Sequence, residues 1–170
     1  MTGNSTPIPF SETKVSPDSA WHRIGHRDAA QRVGAGRGAQ FAGQRRGGVP
    51  RLFNIYPEGN FIEATEDTPF LQIGEHKYGK PVLDRAIGFD TDLRDALKIG
   101  LISMDSTMRS NLGVGLPIDL LVARRDTYNS EVNYRIEPGE PYFQDLRERW
   151  SGALRAAHIA IPRPPYRSPP

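Results

Sequence analysis

The sequence of 170 residues contains no cysteine, and its apolar runs are far shorter than the ~18 residues that cross a bilayer. The absence of cysteine excludes disulfide scaffolds, thiolate metal sites and cysteine nucleophiles. The short apolar runs argue against a transmembrane helix. The first residues also lack the charged and apolar regions of a secretory signal. We therefore expect a cytoplasmic protein that does not bind to membranes.

A strong charge of one sign is also lacking, since 22 Lys and Arg face 20 Asp and Glu and leave a net charge of +2. The hydrophobic content of 37% is low for one self-sufficient domain. Residues 1–42 account for much of this, because they are rich in Gly and Arg and show no apolar period of 2 or 3.6 residues. We expect this basic segment to be disordered. Its excess charge is small and aromatic residues are scarce in it, so nucleic acid is not an expected partner.

Two histidines in this segment, His22 and His26, stand four residues apart, as metal ligands on one helix face do. A zinc-protease helix needs Glu directly after the first His and a third ligand elsewhere. Here Arg23 follows, and Gly25 interrupts the helix. The glycines at 34–38 have no preceding strand and no Gly-Lys-Ser/Thr ending, which a phosphate loop requires. We therefore predict neither a metal nor a cofactor.

From Arg51 onward the sequence has the apolar periodicity of a folded protein. The predicted elements, in chain order, are a hairpin at 52–64, a strand at 70–74, a helix at 79–87 with Pro81 in its first turn, a long helix from Thr91 to about Asn111, a strand at 117–123 buried on both faces, a strand at 133–136, and a helix at 141–157 with Phe143, Leu146, Trp150 and Leu154 on one side. Residues 162–170 are Pro-rich and should form an extended tail.

The last turns of the long helix are unusually polar. Residues 103–112 combine hydroxyls, an Asp and an Arg, which are mediocre helix formers because several of them compete for backbone hydrogen bonds. Such a run beside a buried strand is typical of a polar pocket. The alternative is a solvated helix end with local caps. The candidate site residues are Asp105, Ser106, Ser110 and Asn111.

Three runs in this part of the chain resemble the bacterial proteasome-type proteases called Anbu. They are residues 51–65 (RLFNIYPEGNFIEAT), 68–85 (TPFLQIGEHKYGKPVLDR) and 103–115 (SMDSTMRSNLGVG). The resemblance covers about residues 43–126 and corresponds to the C-terminal half of the catalytic domain in that family. It implies an α+β fold, namely the second half of an Ntn-hydrolase αββα sandwich like that of proteasome β subunits. This half would occupy residues 43–161, between the disordered segment 1–42 and the tail 162–170.

The resemblance also implies threonine-type peptidase chemistry. In such an enzyme the hydroxyl of an N-terminal Thr attacks a peptide carbonyl, and its own α-amine acts as the base. The C-terminal half would support this pair through the loop at 74–79 and the four candidate residues of the long helix. The only candidate nucleophile here is Thr2, but Pro7 and Pro9 follow it, and proline cannot form a central strand.

We therefore expect a proteasome-type peptidase-family protein that is a truncated copy without the N-terminal nucleophile. The alternative is a non-catalytic ring subunit or interaction module. The expected partners are copies of the chain or intact family subunits, in a ring or helical assembly. Peptides would be substrates only if the chain is catalytic.

Overall fold

The structure, a computed structural model, describes residues 19–24 as backbone and residues 38–166 in full. Its elements are β1 (Ser19–Ile24), β2 (Ala39–Arg45), β3 (Arg51–Ile55), β4 (Phe61–Glu63), α1 (Lys80–Ala86), α2 (Leu93–Ser110), β5 (Ile118–Ala123), β6 (Ser130–Ile136) and α3 (Pro141–Ala160). They fall into two units, one with the described residues up to Glu63 and residues 124–128, the other with residues 64–123 and from 129 onward. Helices and strands are mixed, as the α+β expectation requires.

The first unit is built on an antiparallel sheet in the order β1-β2-β3-β4. Phe41 pairs with Phe53 across β2 and β3, and the Phe53 ring meets the Phe61 ring edge-on at 5.8 Å between centroids. The turn between β3 and β4 contains Gly59, whose φ of +91° suits glycine. The predicted hairpin is thus confirmed.

Two of these strands begin before residue 43. β1 lies within the segment that we expected to be disordered, and the expected boundary at residue 42 falls inside β2. The expectation of disorder is therefore wrong for residues 19–24 and 39–42. The reason is that β1 pairs with β2 and β2 pairs with β3. Backbone pairing between strands does not require apolar alternation in the local sequence. The rest of residues 1–42 lies outside the described part of the chain.

Residues 124–128 complete the first unit through Gln44, which is buried in β2. The Gln44 amide donates to the Gly48 carbonyl at 2.7 Å and to Asp126 Oδ1 at 2.5 Å. In return, the Asp126 N–H donates to Gln44 Oε1 at 2.8 Å. Asp126 and Tyr128 both have positive φ, 63° and 55°, so these bonds hold a turn that has two unfavourable backbone conformations.

The second unit is centred on α2, against which both α1 and α3 pack. Asp92 caps α2, since its carboxylate accepts the N–H groups of Arg94 and Asp95. Strands β5 and β6 form an antiparallel ribbon. The buried core of the unit consists of Leu101 on α2, Ile118 and Ile136 on the ribbon, and Phe143 and Leu146 on α3.

Three predictions for this unit need correction. Residues 70–74 form no strand, because no described strand lies beside them to pair with. The strand at 118–123 exists, but every second residue is exposed, and Leu121 is 40% exposed. It is therefore not buried on both faces, as a two-stranded ribbon offers one face to the helices. Finally, α3 continues to Ala160 and does not end at residue 157. Leu154 lies on the same side of the helix as Phe143, but it is 51% exposed because it lies beyond the buried core.

Candidate functional site

The polar end of α2 contains one fully buried charge, Asp105, which is 0% exposed. Its Oδ2 accepts from Arg109 Nε at 3.0 Å, and its Oδ1 accepts from Arg147 Nε at 2.6 Å. Arg109 lies one turn later on α2, whereas Arg147 comes from α3, so the carboxylate joins the two helices. A buried carboxylate needs such partners, because an unpaired charge is costly in a low-dielectric interior. We call these three residues the Asp105 clasp.

Arg147 also packs against the core at the foot of α3. Its guanidinium lies over the ring of Phe143 at 5.7 Å from the centroid, and Phe143 is 1% exposed. The Arg147 side chain is one-third exposed and that of Arg109 one-half, so both cations reach water while both oxygens of Asp105 are covered. The clasp therefore holds α2 to α3 and leaves no free carboxylate oxygen for a substrate.

The hydroxyls beside Asp105 are used within α2 itself. Ser106 Oγ donates to the Ile102 carbonyl and Thr107 Oγ1 to the Ser103 carbonyl, each at 3.0 Å. This is the i−4 bonding that Ser and Thr adopt inside helices. Ser103 and Thr107 are buried. A hydroxyl that donates to its own helix has no adjacent base to activate it as a nucleophile.

The buried hydroxyls face the start of α1 at Gly79. A Cβ at this position would contact Ser103 Oγ at a forbidden distance and would lie 2.8 Å from Thr107 Oγ1 and 2.9 Å from the Ser103 carbonyl. Only glycine lets the backbone approach α2 this closely. The loop that ends at Gly79 is therefore held against the polar end of α2.

Glu75 makes a second connection between this loop and α2. Its Oε2 accepts from Asn111 Nδ2 at 3.0 Å, and its Oε1 accepts from the Lys77 N–H at 3.0 Å. Asn111 Oδ1 in turn accepts from the Gly113 N–H at 2.8 Å. The Lys77 N–H, and after it the Asn111 amide, lower the pKa of the Glu75 carboxyl. The loop and the helix end thus share a charge-assisted hydrogen-bond network.

The four predicted site residues have different partners. Asp105 faces α3, Ser106 bonds its own helix, Ser110 is exposed, and Asn111 contacts the loop through Glu75. Asp105 and Asn111 therefore connect α2 to α3 and to the loop, whereas the Ser106 hydroxyl bonds within α2. Thr2 lies outside the described residues.

Sequence reasoning missed one member of this network, Arg147. It stands 42 residues beyond Asp105, and its own neighbourhood shows only an amphipathic helix. The pairing arises from the packing of α3 on α2, which no local pattern contains. Glu75 and Gly79, in contrast, lie in the loop at 74–79 that the resemblance had selected.

The structure shows no group of three or more His, Asp or Glu side chains arranged to hold a metal ion in the residues that it describes. For the predicted pair, His22 lies in β1, where only the backbone is described, and His26 lies outside the described residues. Within the same described residues, each helix is either too short or too polar to cross a bilayer.

Of the comparisons with known proteins, the one with solved structures finds matches. No family model and no curated protein matches the chain. Among solved structures, Anbu (ancestral beta-subunit) from Yersinia bercovieri matches with a TM-score of 0.74 and 47% identity, over 77% of this chain and 55% of that one. Anbu from Hyphomicrobium sp. strain MC1 matches with a TM-score of 0.73 and 53% identity, over 76% and 56%.

A third match is the helical assembly of the Anbu complex from Pseudomonas aeruginosa. Its TM-score is 0.75 and its identity 49%, over 81% of this chain and 57% of that one. These matches cover more than the half of the chain on which the sequence resemblance rests. The chain is therefore similar to the Anbu (ancestral beta-subunit) proteins over about three quarters of its length and spans a little more than half of theirs, which confirms the resemblance that its sequence indicates.

Proposed function

We propose that this chain is a proteasome-type peptidase-family subunit whose described part serves assembly rather than catalysis, with the fold of the C-terminal part of an Ntn hydrolase. The observation that carries the proposal is the likeness to the Anbu complex from Pseudomonas aeruginosa, whose structure is a helical assembly. At 49% identity, surfaces as well as core can be shared between the two chains.

The polar end of α2 supports a structural role for this part of the chain. Both oxygens of Asp105 are held by arginines, and the hydroxyls of Ser106 and Thr107 donate to carbonyls of their own helix. A nucleophile needs a neighbouring base, and a general base needs a free lone pair within reach of a substrate. The groups here are already engaged, so they position helices and do not act on a peptide.

Exposed apolar side chains support a role in assembly. On α3, Leu154 is 51% and Ile159 80% exposed, and Ile161 follows at 69%. Large apolar patches on a protein surface mark interaction sites. A subunit that binds copies of itself, or intact family subunits, would cover such side chains.

Sedimentation velocity of the full chain over the micromolar range tests the proposal. We expect species larger than the 18.9 kDa monomer, and electron microscopy of those species should show rings, arcs or helices. A second arm mixes the chain with an intact Anbu subunit and looks for co-sedimentation. A single monomer peak in both arms would overturn the proposal.

A peptidase assay separates the assembly role from the catalytic alternative. The wild-type chain and the Thr2→Ala variant are incubated with a pooled peptide library under the conditions of the sedimentation runs. We expect no turnover above background from either protein. Turnover by the wild-type chain that disappears in Thr2→Ala would instead identify a threonine peptidase.

A further inference from the structure

The second half of α3 makes little contact with the rest of the described chain. Phe143 and Leu146 anchor the first half of the helix in the core, and Trp150 is half-buried. From residue 153 onward every described residue is exposed, although the helix continues to Ala160. We call residues 153–161 (ALRAAHIAI) the α3 arm.

The composition of the arm is typical of a helix that packs against another protein surface. Leu154, Ala157 and Ile161 recur at steps of three and four residues and form one apolar stripe. Ile159, together with Ala156, forms a second stripe on another side. A helix that is apolar on several sides is normally buried, and a helix segment this short has little stability of its own in water. The arm therefore fits a groove or corner better than a flat surface.

The charges of the arm indicate the kind of surface that would receive it. Its ionisable groups are Arg155 and His158, and it has no acidic residue. The connection between α1 and α2, residues 87–92 (IGFDTD), has the opposite character. It contains two Asp and no Lys or Arg, and Phe89 stands 62% exposed beside the exposed Asp90. An apolar and cationic helix thus has an apolar and anionic counterpart on the same chain.

We propose that the α3 arm docks onto the α1–α2 connection of a second copy of this chain. The proposal rests on the assembly function proposed above and assigns the surfaces that perform it. Because donor and acceptor surfaces differ, the contact is heterologous, and each added copy presents a new acceptor. Such head-to-tail contacts produce a ring when the rotation closes and an open helix when it does not.

The apolar part of the contact is tested with the double variant Leu154→Glu/Ile159→Glu. Both side chains are exposed in one chain and Glu is a good helix former, so far-UV circular dichroism should be unchanged. The matched control is Leu112→Glu, which changes a fully exposed leucine outside the arm. We expect the double variant to need at least about tenfold more protein to associate, as for the loss of a central apolar anchor. The control should associate like the wild-type chain.

The choice of acceptor is tested by reversing charges. Arg155→Glu should weaken association, and Asp90→Arg should restore it when the two variants are mixed. The control is Arg149→Glu, which changes an exposed Arg of α3 before the arm begins. It should leave association unchanged.

The outcomes separate the two proposals. A wild-type chain that stays monomeric overturns the assembly function itself. If the wild-type chain assembles and Leu154→Glu/Ile159→Glu associates as readily as the Leu112→Glu control, docking by the arm is overturned. The assembly function then still stands. Loss of association in that double variant, together with a failure of Asp90→Arg to restore the association of Arg155→Glu, overturns the α1–α2 connection as the acceptor.

Discussion

The Asp105 clasp provides the sharpest test of the fold, through the substitution Asp105→Asn. The change keeps the size of the side chain but removes its charge and turns one acceptor oxygen into a donor that faces an arginine donor. Removing one partner of a buried ion pair costs about 3–5 kcal/mol. Arg109 and Arg147 are one-half and one-third exposed, so water can replace part of what they lose. We therefore expect a loss near the lower end, about 3 kcal/mol in the free energy of unfolding.

The control is Asp119→Asn in the surface pair with Arg135, where both side chains are more than half exposed. Exposed pairs contribute below about 1 kcal/mol. Urea unfolding of both variants gives the two free energies, and thermal melting should show Asp105→Asn lower by about 6–12 °C for a chain of this size. If Asp105→Asn were no less stable than Asp119→Asn, the clasp would not hold α2 to α3.

Two further predictions concern the loop before α1. Gly79→Ala should destabilise the chain by about 1–3 kcal/mol in urea unfolding, because the added methyl group overpacks the joint with α2. Gly100 lies in the middle of α2 with open space around it, so Gly100→Ala should instead stabilise the chain by up to about 1 kcal/mol. Equal changes in the free energy of unfolding for the two variants would contradict this reasoning. Asn111→Ala should raise the pKa of Glu75 part of the way back to its ordinary value in an NMR titration, whereas Ser110→Ala should not. Since the folded state lowers this pKa, the stability that the carboxylate adds is present at neutral pH and is lost as the pH falls through the folded-state pKa.

Local patterns predict the elements of the second unit well, because short-range chemistry determines where they begin. Pro81 stands at the start of α1, as its fixed φ allows. The sequence predicts that α2 begins at Thr91, whereas its first residue is Leu93 and its N-cap is Asp92. The Thr91 hydroxyl accepts the Gly88 N–H instead, and Asp92 takes the capping role. Which of two adjacent capping residues is used depends on the preceding turn.

The failures share a physical cause, which is dependence on distant partners. Residues 70–74 have the composition of a strand, yet no described strand pairs with them. β2 has few strand signals, yet it pairs with β3 along five residues. The polar residues at the end of α2 are visible in the sequence, but the ion pair that joins Asp105 to Arg147 is not. Hydrogen bonding between strands and ion pairing between helices join residues far apart in the sequence, where a local window cannot detect them.

The bonds between Gln44 and Asp126 affect the order in which the protein can fold during synthesis. The two residues are 82 positions apart, so at about 5–20 residues per second Gln44 is made roughly 4–16 s before its partner. For that time the Gln44 side chain can donate to the Gly48 carbonyl, but its Oε1 lacks the Asp126 N–H that it accepts in the complete chain. A buried polar atom without a partner costs about 1–3 kcal/mol. The first unit therefore cannot reach its final stability on the ribosome until most of the second unit has been translated. A fragment that ends at Glu63 would keep that deficit permanently.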